Sequence, residues 1–109
     1  METNTALAAL AALAHRSRLA VYRLLIEAGP AGLAASAIAE RLELAPSSLS
    51  FHLKELSHAK MIIATPKGRS IIYAAEFDTM NALLGYLTEN CCGGNRCTPV
   101  RKVRCISKL

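Results

Sequence analysis

Tryptophan is absent from this 109-residue chain, and aromatic residues make up only 5% of it. A core built around large rings is therefore excluded. Alanine supplies much of the 52% hydrophobic content, a composition that favours closely packed helices. Long apolar runs are also missing. The stretch over residues 6–14 is too short to span a bilayer, is broken by His15-Arg16, and has no basic residue ahead of it as a signal peptide would. A cytoplasmic protein is the expectation. Cysteine is confined to Cys91, Cys92, Cys97 and Cys105, and in a reducing compartment such thiols are ligands or redox sensors rather than structural disulfides.

Acidic residues are missing from positions 96–109, where Arg96, Arg101, Lys102, Arg104 and Lys108 give the whole net charge of +5. Residues 1–95 balance eight basic against eight acidic side chains. Within them, residues 46–75 hold Lys54, Lys60, Lys67 and Arg69 against Glu55 alone. That focused positive patch suits contacts to nucleic-acid phosphates.

At this length one domain is expected, with a single core that a dimer would help stabilise. Leu7, Leu10 and Ala14, then Leu19, Leu24 and Ile26, recur on two helical segments within the first 28 residues. Gly29-Pro30-Ala31-Gly32 stops the second. A third helix is expected over residues 34–42, with Ile38 and Leu42 inward. After the turn Glu43-Leu44-Ala45, Pro46 occupies the first position of a fourth helix running to about residue 59. Its core stripe is Leu49, Leu53 and Leu56. Turning 100° per residue places Ser47, Phe51, Lys54 and His58 on the opposite side, with Ser48 and Ser50 on the flanks and His52 beside the stripe. Residues 61–65 and 70–75 read as two strands joined by Pro66-Lys67-Gly68-Arg69, a hairpin with a basic tip. A last helix over residues 78–89 carries Met80, Leu83, Leu84 and Leu87 on one side.

Helix, short turn, helix and cationic hairpin form a winged helix-turn-helix, mainly α with a β-hairpin wing. In that arrangement the second helix enters the major groove. Ser47, Ser48 and Ser50 can hydrogen-bond bases or phosphates, and Phe51 can lie against a thymine methyl group. Lys54, Lys67 and Arg69 would hold the backbone, and His52 is assigned a local hydrogen-bonding or phosphate role. The competing reading is a solvated helix beside an ordinary hairpin.

The run Cys91-Cys92-Gly93-Gly94-Asn95-Arg96-Cys97 reads as a sensor site. Thiolate is the softest protein ligand. Three thiolates suit a three-coordinate ion with a lone pair, such as As(III) or Sb(III). Gly93-Gly94 frees the backbone to fold back, and the cationic tail favours the thiolate that binds. A Zn, Cd or Pb thiolate site and a redox-sensing thiol remain alternatives. Cys105 can replace Cys97 or add a fourth ligand. An enzyme is not expected, since no catalytic base lies near the thiols in sequence, and no catalytic cofactor is implied.

The stretch Ser47-Ser48-Leu49-Ser50-Phe51-His52-Leu53-Lys54-Glu55-Leu56, followed by Ala59-Lys60-Met61-Ile62, Gly68-Arg69 and Tyr73, resembles the ArsR/SmtB family of bacterial metalloregulatory repressors. The resemblance covers roughly residues 5–92. It implies a homodimer through the first and last helices, an operator with two half-sites, and repression relieved by inducer. Many arsenic-responsive members carry a Cys-x-Cys pair before the recognition helix, but residues 33–45 here contain no cysteine. Zinc-responsive members use Asp, His and Glu on the last helix, which here has no histidine. Leu87-Thr88-Glu89-Asn90-Cys91-Cys92, a glycine turn and a further Cys resemble a subset of arsenic repressors with a C-terminal site. The chain thus divides into a DNA-binding and dimerisation domain over residues 1–92 and a cysteine-containing basic tail over 93–109.

Overall fold

The computed structural model describes residues 1–94. Helix α1 (Thr3–Leu13) is rich in alanine, the strongest helix former. It buries Ala6, Ala9 and Ala12, while Leu7 and Leu10 point outward. The leucine stripe that marks the helix in the sequence is therefore its outer face, because the small alanines let α1 approach the core closely. Helix α2 (Arg16–Ala28) buries Val21, Tyr22 and Leu25. Of the residues expected to mark it, Leu24 and Ile26 are half-buried and Leu19 is exposed.

A 3₁₀ turn, Gly29–Ala31, leads into strand β1 (Leu33–Ala34), which sequence periodicity does not reveal. Ala34 thus belongs to a strand, and α3 covers Ala35–Leu42 with Ile38 fully buried. Helix α4 begins at Pro46 as expected and runs to His58, with Leu49, Leu53 and Leu56 buried. Between the two helices Glu43 takes a left-handed φ of 53° and closes α3.

Strands β2 (Ile62–Lys67) and β3 (Ser70–Ala75) pair from Ile62 with Ala75 out to Lys67 with Ser70. The hairpin extends two residues beyond the expected first strand. Pro66 is tolerated because β2 is an outer strand of the order β1-β3-β2. The turn is Gly68-Arg69, with Gly68 at φ 61°. Strand β1 pairs with β3 through Leu33 with Tyr73 and Ala34 with Ile72.

Helix α5 (Phe77–Leu87) opens with the Glu76 carboxylate accepting from the Asp78 amide at 3.3 Å. Leu83 is buried, Met80 and Leu84 are half-buried, and Leu87 is exposed. A hydrogen bond of 2.6 Å between Thr3 Oγ1 and the Tyr86 hydroxyl ties α1 to α5. Among the described residues, no helix is long and apolar enough to cross a membrane.

Candidate nucleic-acid interface and thiol pair

The buried leucines of α4 fix which side of the helix faces away from the core. Ser47, Ser48, Ser50, Phe51 and Lys54 are all exposed, and Phe51 keeps 55% of its surface accessible. The phenyl ring, set among small hydroxyls, is accessible from solvent. Pro46 stands in the first turn, and the N-cap Ala45 provides no side-chain hydrogen bond, so first-turn amides stay available to an anion. Lys67 and Arg69 are exposed at the hairpin tip.

His52, unlike those residues, is buried. It is 8% exposed, and its ring lies 4.8 Å from that of His15 and 5.8 Å from that of Phe51. Buried Nδ1 finds no hydrogen-bond partner among the described residues. Loss of hydration, followed by the nearby charges of His15 and Arg18, holds the imidazole below its ordinary pKa. A ring in this position supports the packing of α4.

His15 and Arg18 are the residues that sequence reasoning missed. His15 caps α2, its Nδ1 accepting from the Ser17 amide at 3.1 Å. Arg18 Nε donates to the Ala12 carbonyl at 2.7 Å and secures the α1–α2 corner. Their place between two helical patterns was the available signal, although His is not among the usual capping residues.

At the far end of α5, Thr88 Oγ1 donates to the Leu84 carbonyl at 2.7 Å, and the Cys91 amide donates to the Thr88 carbonyl at 3.0 Å. These bonds lead the chain into a 3₁₀ turn, Cys91–Gly94. Asn90, Cys92 and Gly93 all have left-handed φ, at 57°, 58° and 65°. Cys91 and Cys92 are exposed and their sulfurs stand 3.7 Å apart. Cys97 and Cys105 lie outside the described residues. Among the described residues, no three His, Cys, Asp or Glu side chains gather as a metal site.

Residues 13–63 match the profile of a family described as a helix-turn-helix domain. The fold as a whole is similar to an ArsR-like transcriptional regulator from Rhodococcus sp. RHA1, at TM-score 0.71 and 24% identity, covering 84% of this chain and 82% of that one. This chain has the winged helix-turn-helix fold seen in ArsR-like regulators. NolR from Sinorhizobium fredii is also similar, at TM-score 0.63 and 27% identity, over 81% of this chain and 85% of that one. A third similar structure is the homodimeric winged helix-turn-helix DNA-binding domain of a possible ArsR-family regulator from Mycobacterium bovis. It has TM-score 0.65 and 20% identity, over 88% of this chain and 89% of that one. No match was found among curated proteins. The ArsR-type fold is that of DNA-binding transcriptional regulators, not of enzymes.

Proposed function

We propose that this protein is a cytoplasmic homodimeric repressor that holds operator DNA in its apo form and releases it when As(III), or Sb(III), binds Cys91, Cys92 and Cys97. The observation that carries the reading is the exposed thiol pair at the end of α5, with sulfurs 3.7 Å apart. That separation is less than twice an ion–thiolate bond of about 2.3 Å, so both sulfurs can reach one soft ion. Cys97 supplies the third thiolate, which completes a trigonal pyramid. Dimerisation through α1 and α5 is supported by outward Leu7, Leu10 and Leu87 and by the homodimeric M. bovis relative.

In this mechanism Ser47, Ser48, Ser50 and Phe51 read the major groove while Lys54, Lys67 and Arg69 hold phosphates. Ion binding at the end of α5 shifts the two protomers and spoils their match to the half-sites. Coupling of about 1–3 kcal/mol would lower operator affinity roughly 5- to 150-fold. The test is fluorescence anisotropy on reduced protein with a duplex that the protein itself selects from a random library, titrated with arsenite. Release that vanishes on changing Cys91, Cys92 or Cys97 to Ser, and survives Cys105→Ser, supports the reading. Arsenite that binds tightly yet leaves affinity for DNA unchanged overturns it.

The same sulfur spacing favours one second reading, a thiol redox switch. Hydrogen peroxide would take two electrons and two protons from the pair, forming one S–S bond and two waters. Release of DNA by peroxide with no metalloid present separates this reading from the first.

A further inference from the structure

The helix-facing side of the hairpin outruns the core it belongs to. Side chains alternate across a strand, so the pairs Ile62 with Ala75, Ala64 with Tyr73, and Pro66 with Ile71 share one side. Ile62 and Ala75 are buried, and Tyr73 is half-buried against the core. The outermost pair is open: Pro66 is exposed and Ile71 is 47% exposed. Where a sheet side passes from core to water, the alternation normally turns polar. Here it stays apolar up to the tip, and the next residues are Lys67, Gly68 and Arg69.

The surroundings indicate what meets this pair. Residues 62–75 contain two cations and no acid, so the apolar pair sits on a positively charged finger. A second copy of the same finger is repelled by its charge, whereas duplex DNA presents apolar sugar edges between rows of phosphates. Pro66 has a fixed φ and Ile71 a stiff β-branched side chain, so little conformational freedom is lost on contact.

We propose that Pro66 and Ile71 form an apolar pad on which the wing rests against deoxyribose edges of the DNA groove wall, while Lys67 and Arg69 engage the flanking phosphates. This assignment rests on the operator-binding reading above and adds a contact of different physical character. Cations release counterions, so their contribution falls with salt. An apolar pad displaces water, and its contribution does not.

The experiment measures affinity of the full reduced chain for the self-selected duplex between about 50 and 200 mM salt. Parent, Ile71→Ser, Ile71→Val and Arg69→Ala are compared, each checked for an unchanged melting profile. Ile71→Ser is expected to bind roughly fivefold more weakly at every salt concentration, with the parent's slope of log affinity against log salt. Ile71→Val should restore most of the loss. Arg69→Ala should make the slope shallower by about one unit. Parent-like affinity in Ile71→Ser, with the Arg69→Ala slope change intact, overturns the pad but leaves operator binding standing. Loss of self-association in Ile71→Ser by sedimentation, with DNA affinity per dimer unchanged, assigns the pair to a contact between copies and also overturns it. A parent chain that selects no duplex overturns the pad together with the reading beneath it.

Discussion

The imidazole of His52, on α4, lies 4.8 Å from the imidazole of His15, which caps α2, two helices earlier. His15 accepts the Ser17 amide through Nδ1. His52 is buried, and burial followed by the charges of His15 and Arg18 lowers its pKa from the usual 6.5. Helix α1 carries no ionisable side chain, Glu40 and Arg41 of α3 are exposed, and Lys67 stands at the far end of β2. His15 and Arg18 are therefore the charges that matter to this ring.

A pH dependence of stability follows. The unfolded chain takes a proton on His52 near pH 6.5, while the folded chain resists it until lower pH. The unfolded state thus binds more protons in that window, and stability rises with pH. The contribution is fully present above pH 6.5 and is lost as pH falls toward the folded value. Thermal melts from about pH 8 to about pH 5 should show a falling midpoint, and His52→Gln should flatten the fall. An undiminished slope in His52→Gln would assign the dependence to other groups.

Helix α4 was legible because a strong stripe and a proline start agree: Leu49, Leu53 and Leu56 are buried and Ser47, Phe51, Lys54 and His58 are exposed. His52 sits at the edge of that stripe, and its burial depends on His15, which no local pattern connects to it. Strand β1 has only two residues, too few for any period to register. On α1 the sequence favours leucines over alanines as core, yet close approach of the backbone puts Ala6 and Ala9 inside and Leu7 outside. The thiol pair was visible from residue type alone, because adjacency in sequence guarantees proximity.

Gly32 and Gly68 both have left-handed φ, at 68° and 61°, but their surroundings differ. A Cβ on Gly32 would collide with the carbonyl of Tyr73, where β1 docks against β3, whereas one on Gly68 meets nothing. Gly68→Ala should cost about 1–2 kcal/mol from backbone conformation alone. Gly32→Ala adds a rigid clash and should cost about 3–4 kcal/mol. Urea denaturation of both variants checks the ranking. Equal losses would show that β1 yields to the added methyl.

Tyr22 is buried, and its hydroxyl has no hydrogen-bond partner among the described residues. Burial, aided by the Glu76 carboxylate, pushes its pKa up to about 12. The phenol is therefore neutral at all ordinary pH, and its oxygen has lost water without finding a replacement. Tyr22→Phe keeps the ring packing and removes that unsatisfied group. It should be neutral or stabilising by about 1 kcal/mol, as read from the denaturation midpoint. A loss of more than about 1 kcal/mol would reveal a bonded hydroxyl in solution.

Leu7 is 57% exposed on α1 while Ala6 and Ala9 hold the same helix to the core. Leucines on that outer face contribute little to the protomer's interior, so changing one should separate folding from association. Leu10→Lys, on the same outer face, should leave helix content intact and weaken the dimer roughly tenfold or more, measured by sedimentation against concentration. The weaker association would follow from burying a charge at the proposed apolar contact between copies. Affinity for a duplex with two half-sites should fall with it, because each protomer then binds alone. Affinity for a single half-site should not change. A variant that stays fully dimeric would place the interface elsewhere and detach the thiols at the end of α5 from the proposed route to the DNA-reading helix.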